Sequence, residues 1–267
     1  MRNIGIIGGS GVYSPEILEK AGFKNELVHT PYGDVPCLYG EKFGNKVTFI
    51  TRHGAQHSTP PHLINYRANI TALKKMRVEE IIATAAVGSI NKDMQSGHFV
   101  ICDQILDFTK SRINTFFNGT DFPVGHADFS HPYCPTLRNI LIDCLEDMGA
   151  DYHKTGTMVV TEGPRFETPA EIKMYAQFGG DVVNMTGMPE AILAREAEMH
   201  YAVIAMVTNM AAGISTISLS HAEVLESMKK SEIALNKLID KFIAYDKTVD
   251  KQCFCDTAMK DFGGFKI

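Results

Sequence analysis

The stretch Val182 to Gly213, VVNMTGMPEAILAREAEMHYAVIAMVTNMAAG, decides the fold. Val182-Val183 closes a buried strand, and the chain then turns through Asn184-Met185-Thr186-Gly187. Pro189 suits the first turn of a helix, where its missing N–H would have no partner anyway. Glu190 to Met199 reads as that helix and offers Ala191, Leu193, Ala194 and Ala197 for packing. Tyr201 to Val207 is a second apolar run, rich in strand formers, and it ends at Thr208-Asn209. The whole is a β-turn-α-β unit whose informative polar residues sit at strand ends, where open α/β sheets bind ligands. Thr186 before the helix and Asn209 after the next strand then face one small molecule from two sides.

Composition narrows the function classes. The chain has 267 residues, 45% of them hydrophobic and 21% charged, which suits a globular protein. Its formal net charge of −5 argues against nucleic-acid binding, which calls for a basic face. No apolar run reaches the ~18 residues of a membrane span. Met1-Arg2-Asn3 runs into Ile4-Gly5-Ile6-Ile7-Gly8, too short and glycine-rich for a signal peptide. The expected compartment is the cytoplasm. Six scattered cysteines are then expected mostly as buried free thiols. Cys253 and Cys255 form the one close pair. They lack a second pair or a histidine at zinc-finger spacing, so no metal site is expected, and a tail disulfide stays the alternative.

Other segments extend the pattern. Asn3 to Gly11, NIGIIGGSG, reads as a buried strand entering a glycine-rich turn. Such a turn lets backbone N–H groups approach a phosphate, with the Ser10 hydroxyl beside them. A tight turn with no ligand fits the same residues. Val35 to Thr51 reads as a hairpin, followed by Arg52, His53, His57 and His62 in a loop that Pro60-Pro61 holds out of a helix. Arginine is suited to bidentate oxyanion binding and histidine adds a donor. Leu63 to Arg77 has helical periodicity, and Glu79 to Ala86 is a buried strand from which Val87-Gly88-Ser89 turns away. Ala85, Ala86 and Gly88 leave room for a ligand against the backbone. Phe99 to Leu106 is a strand, Thr109 to Tyr133 a long loop carrying His126, Thr136 to Met148 a helix and Lys154 to Val160 a strand. Loops of that length in compact domains are usually lids or interfaces. Phe166-Glu167 pairs an apolar face with a carboxylate, which suits a planar heterocycle bearing ring N–H groups. Glu167 equally fits the N-terminus of the helix opening at Thr168-Pro169-Ala170-Glu171. Ile217 to Lys230 leads into a last helix running through Asp246, with His221 near its start. The expected architecture is a single domain over 1–267, a three-layer α/β/α with a central mixed sheet, and a peripheral tail over about 247–267.

These segments together resemble the trimeric nucleoside phosphorylase family, which contains purine nucleoside phosphorylases and methylthioadenosine phosphorylases. The matching stretches are GIIGGSG (5–11), TRHGAQH (51–57), NYRANI (65–70), TAAVGS (84–89), GHADFSHPYCP (125–135), EGPRFET (162–168), NMTGMPEAILAREA (184–197) and VTN (207–209). The resemblance implies that Ser10, Arg52, His53, Thr186 and the backbone of Ala86 hold phosphate. Ala85 stands where methylthioadenosine phosphorylases tend to carry Thr. Met185 would lie under the ribose and Phe166 against the base, with Met210 and Ala211 beside it. His126 would reach a neighbouring subunit's pocket, so a homotrimer or dimer of trimers is implied.

The resemblance also bears on the substrate. Adenine-specific members carry Asp where this chain has Asn209 and again where it has Ala211. They have a small residue where it has Glu167. Asn209 can donate to a 6-oxo group, and Glu167 can accept N1–H of a 6-oxopurine. His221 falls where purine nucleoside phosphorylases place a His near the 5′-hydroxyl. Asn209, Glu167 and His221 are therefore the expected catalytic set, inosine or guanosine with phosphate the expected substrates, and no metal or organic cofactor is expected. Methylthioinosine or methylthioadenosine phosphorolysis is the nearest rival. A nicotinamide-dependent oxidoreductase is disfavoured by the missing third glycine at Ser14. A non-catalytic purine-binding module would leave Arg52 and His53 without a purpose.

Overall fold

A computed structural model describes residues 1–9, 12, 15–54, 58–214, 221–246 and 253–266, without the side chains of residue 15 and residues 221–230. In chain order the elements are β1 (Asn3–Gly8), α1 (Pro15–Lys20), β2 (Lys24–Thr30), β3 (Gly33–Lys42), β4 (Asn45–Thr51), α2 (Tyr66–Lys75), β5 (Glu80–Ser89), β6 (Phe99–Val100) and β7 (Gln104–Phe108). They continue as α3 (Pro135–Met148), β8 (Tyr152–His153), β9 (Thr157–Thr161), α4 (Pro169–Gln177), β10 (Val182–Asn184), α5 (Gly187–Glu196), β11 (His200–Met210) and α6 (His221–Ile243).

Among the described residues eleven strands form a single mixed sheet. Its centre is parallel: β1 pairs with β4 and β5, and β5 pairs with β11. Alternation along these strands sends side chains to two cores. Ile7, Ala83, Val203 and Ala205 join a cluster with Ala72, Leu73, Ala191 and Ala194 of α2 and α5. Ile4, Ile6, Ile82, Ala202 and Ile204 join another with Leu141, Leu145, Leu238 and Phe242 of α3 and α6. Both faces are covered, which is why these strands read as unbroken apolar runs rather than alternating ones. This is the expected three-layer α/β/α with a mixed central sheet.

Several boundaries differ from the sequence reading. Val87-Gly88-Ser89 does not turn away: β5 continues through it, because β10 pairs antiparallel with Gly88 and Ser89 while β11 pairs along the other edge. The run from Phe99 splits into β6 and β7. β2, which the sequence reading left unassigned, pairs with β3 as an added edge strand. The tail is not peripheral over the described residues 253–266. Met259 is fully buried and Phe265 nearly so, both in the core beside α2 and α5. Glu198 accepts the backbone N–H groups of Met259 (3.1 Å) and Phe265 (3.4 Å), which satisfies the tail's polar backbone as its side chains enter the core. All six cysteines are buried and free. Cys253 and Cys255 are not an isolated pair, since Cys134 and His200 stand beside them.

If the tail is part of the core, Met259→Ala should lower the unfolding free energy by about 2–5 kcal/mol, as other buried large-to-small changes do. Urea unfolding measures this, and an effect near zero would restore the tail to the surface.

Candidate active site

A cleft of about 1040 Å³ opens at the ends of the central strands. Gly9 after β1, Arg52 and His53 after β4, Thr84 to Gly88 of β5, Val183 to Thr186 at the end of β10, and Thr208 to Ala212 at the end of β11 line it. Ser58 to Pro61, beyond His53, and Pro164, Phe166 and Glu167, from the connection between β9 and α4, form the remaining walls. Most of the expected site residues therefore meet in one cavity: Arg52, His53, Ala85, Ala86, Phe166, Glu167, Met185, Thr186, Asn209, Met210 and Ala211. Ser10 and the His221 side chain lie outside the described residues. His126 is exposed and does not line the cleft. Its ring stands edge-on to Phe262, 6.3 Å between centroids.

Arg52 is the fixed point at one end. Its Nε and Nη2 both donate to the Glu190 carboxylate at 2.8 Å, and Nη1 donates to Thr84 O at 2.9 Å. The two charged side chains are 2% and 0% exposed. Tyr201 adds a hydroxyl donor to Glu190 at 2.9 Å. Burial works against the charged guanidinium, but the charge and hydrogen bonds of Glu190 outweigh it, so the Arg52 pKa is raised and the group stays cationic. Three of its five N–H donors are taken among the described residues, leaving two for a ligand. Gly9 closes on this group: a Cβ there would come within 3.0 Å of Arg52 Nη1 and 3.2 Å of Thr84 O. Its N–H donates to Thr84 Oγ1 at 3.0 Å.

Around Arg52 the polar groups are similarly braced. His53 Nδ1 contacts Thr59 O at 2.9 Å. Asn184 Oδ1 accepts the backbone N–H of Thr186 (2.6 Å) and of Gly187 (2.8 Å) and contacts the Thr186 hydroxyl at 3.2 Å. Asn184 thus satisfies the opening of α5 and sets where Thr186 and Met185 stand.

The other end is set by two further devices. A register shift between Val207 and Asn209 breaks the pairing of β11 with β5. Such bulges re-aim side chains beside active sites, and here Thr208, Asn209 and Met210 all line the cleft. The Asn209 amide lies 2.8 Å from the Thr208 hydroxyl through Oδ1 and donates to Met210 O at 2.9 Å through Nδ2. One N–H and one acceptor position remain. Glu167 accepts from Thr161 Oγ1 at 2.7 Å through Oε1. It does not cap α4. That role falls to Thr168 and Glu171, which form a reciprocal capping box. Phe166 is 84% exposed although it borders the cleft.

Comparison with known proteins gives the family. Residues 3–244 match the family model described as the phosphorylase superfamily. The chain belongs to the phosphorylase superfamily. One relative in it is a probable 6-oxopurine nucleoside phosphorylase of Dictyoglomus turgidum, 52% identical over 97% of both chains. Another is the 6-oxopurine nucleoside phosphorylase of Pyrococcus furiosus, 51% identical over 99% of this chain and 100% of the relative. Among solved structures, a methylthioadenosine phosphorylase of Schistosoma mansoni in complex with adenine superposes with a TM-score of 0.83 at 33% identity, covering 91% of each chain.

Sequence reasoning missed four residues that line or brace this cleft, Thr84 and Asn184 in its wall and Glu190 and Arg112 behind it. Glu190 was read only as the start of a helix, although a carboxylate at i with Ala194 at i+4 and Ala197 at i+7 puts a charge on the packing face, a visible signal of a buried partner. Thr84, Asn184 and Arg112 gave no such signal. Arg112 holds the long loop by donating to Tyr66 Oη (3.1 Å) and to the carbonyls of Met188, Thr161 and Glu162.

Two outcomes follow from this bracing. Glu190→Ala strands a buried cation and should cost about 3–5 kcal/mol in chemical denaturation, whereas the double change Glu190→Leu with Arg52→Met should recover much of that loss. The Glu171 carboxyl is held at about 2, first by its hydrogen bonds from Arg165 and then by the Thr168 backbone. Its folded value lies below the unfolded 4.5, so its contribution is present above about pH 4.5 and lost as pH falls through about 2. Stability measured from pH 5 to 2 should therefore fall further in the parent than in Glu171→Gln.

Proposed function

We propose that this chain is a 6-oxopurine nucleoside phosphorylase, cleaving inosine or guanosine with inorganic phosphate to the free base and ribose 1-phosphate. The observation that carries the reading is the joining, in one cleft, of an oxyanion end at Arg52, His53 and Thr186 with a base end at Phe166, Glu167 and Asn209. The names of its relatives at about half identity support the same activity.

Phosphate takes the two N–H groups left on Arg52, with His53, the Thr186 hydroxyl and the Ala86 backbone as further donors. Because Glu190 already balances the Arg52 charge, the arginine acts as an oriented donor more than as a free cation. The bound anion attacks C1′ as the C1′–N9 bond breaks, through a transition state with oxocarbenium character like that of glycoside cleavage. The anion's own charge stabilises the ribosyl cation, and most of the acceleration comes from positioning and preorganised charge. Met185 lies under the sugar. Phe166 is covered by the purine, which accounts for a large apolar side chain left bare beside a cleft.

At the base, Thr161 occupies Glu167 Oε1 and leaves Oε2 to accept N1–H of a 6-oxopurine. The remaining N–H of Asn209 serves O6, and its remaining acceptor position holds the N7–H formed when the departing purine anion takes a proton from solvent. Adenine presents a lone pair at N1, which the Glu167 carboxylate repels, so the same contact rejects the wrong base. His221 is assigned to the 5′-hydroxyl, and phosphate is a co-substrate in chemistry that draws on no resident cofactor. His126 is assigned to the pocket of a neighbouring copy in a homotrimer. Exposed Ile113 and Val124 on the same long loop fit burial in that contact.

Hypoxanthine release from inosine should depend strictly on phosphate; release in its absence would indicate hydrolysis instead. Glu167→Ala should lower kcat/KM for inosine about 10- to 100-fold, the worth of one hydrogen bond to a charged group. Glu167→Ser with Asn209→Asp should raise turnover of adenosine and 5′-methylthioadenosine relative to inosine. An unchanged substrate ratio would contradict the base assignments.

A further inference from the structure

Four metal-ligating side chains from separate parts of the chain converge away from the cleft. Cys134 stands immediately before α3, His200 opens β11, and Cys253 and Cys255 come from the tail. Their ligand atoms all lie within 4.8 Å of one another. Cys134 Sγ is 3.5 Å from Cys253 Sγ, and His200 Nδ1 is 3.4 Å from the first and 3.3 Å from the second. A tetrahedral zinc with bonds of about 2.3 Å to sulfur and about 2.0 Å to nitrogen needs ligand atoms roughly 3.5–3.8 Å apart. The three cysteines are buried and His200 is half-buried.

We propose that Cys134, His200, Cys253 and Cys255 form a structural Cys3His site for zinc. The donor set is that of a tetrahedral thiolate-imidazole site, and four protein ligands leave no open position for chemistry. None of the four lines the catalytic cleft. Three thiolates around a divalent ion leave one net negative charge. The guanidinium of Arg195, itself 9% exposed, answers it by donating through Nη1 to Cys255 Sγ at 3.6 Å. The Thr136 hydroxyl donates to Cys253 Sγ at 3.5 Å. Such outer donors are what metal-bound thiolates use. On binding, three thiol protons pass to solvent and His200 binds as neutral imidazole through Nδ1. No electrons move. A disulfide among the same cysteines would need a two-electron oxidant and sulfurs about 2.05 Å apart.

The sequence hides this site because its donors are far apart: 119 residues separate Cys134 from Cys253, and 53 separate His200 from Cys253. Its effect is to staple the tail to the body. Beyond the staple, Phe265 packs on Phe116 and stacks on Phe122 at 4.9 Å, and Phe262 meets His126. The metal therefore braces the long loop from below.

Elemental analysis of the full chain, expressed without a polyhistidine tag in zinc-supplemented medium and purified without chelator, tests this. About one zinc per chain is expected, falling toward zero in Cys134→Ser and Cys255→Ser and unchanged in Cys37→Ser. Because the site variants risk misfolding, the unaltered protein supplies a second reading. Stripping it with a strong chelator should lower its melting temperature, zinc should restore it, and cobalt(II) should give the intense visible absorption of a tetrahedral thiolate site. Absence of stoichiometric zinc, a weak octahedral cobalt spectrum, or an intact mass two hydrogens light with Cys253 in a disulfide would each overturn the proposal.

Discussion

The buried pair of Arg52 and Glu190 is the constraint on which the site depends. A guanidinium 2% exposed is tolerable only with a partner, and Glu190 supplies two parallel hydrogen bonds to it. That partner arrives on α5, whereas Arg52 arrives at the end of β4. The pair therefore ties a helix on one face of the sheet to the end of a central strand. It also fixes which N–H groups of Arg52 remain to face the cleft. Thr84 on β5 accepts from Arg52 and Tyr201 on β11 donates to Glu190, so four separate elements meet at one ion pair.

The rest of the cleft is positioned by the same logic of strand ends and short polar braces. Asn184 gathers the opening of α5, Thr161 holds Glu167, and the irregularity in β11 turns Asn209 toward the cavity. Each brace is local and rigid. The sheet beneath is closed on both faces by helices, so the braces rest on a core that does not yield. A reaction that proceeds mainly by positioning needs that rigidity more than it needs an unusually acidic or basic side chain.

Much of this was legible in the sequence, and the failures have physical causes. The β10-α5-β11 unit was readable because its apolar periodicity changes from strand to helix and back within one stretch. Arg52, Thr186 and Asn209 were readable because polar residues at the ends of apolar strands have few other reasons to be there. The continuation of β5 through Val87-Gly88-Ser89 was not. Small residues favour turns locally, and only β10 and β11, distant in sequence, keep the segment extended. The tail was misread for a similar reason. Met259 and Phe265 stand among polar residues, and their burial depends on partners more than 60 residues earlier in the chain. Glu190 was the avoidable omission, since a carboxylate on an apolar helix face announces a buried partner.

The proposed phosphorolysis requires one arrangement: an anion held against Arg52 while Glu190 keeps its grip, with a 6-oxopurine read by Glu167 and Asn209 across the same cleft. The most direct test is a crystal structure with hypoxanthine and sulfate bound together, sulfate standing in for phosphate. Sulfate oxygens should lie within hydrogen-bonding distance of the Arg52 guanidinium, with the Glu190 contacts intact and the ring against Phe166 with N1 beside Glu167. Sulfate bound away from Arg52, or a purine turned so that neither Glu167 nor Asn209 meets its edge, would contradict this arrangement.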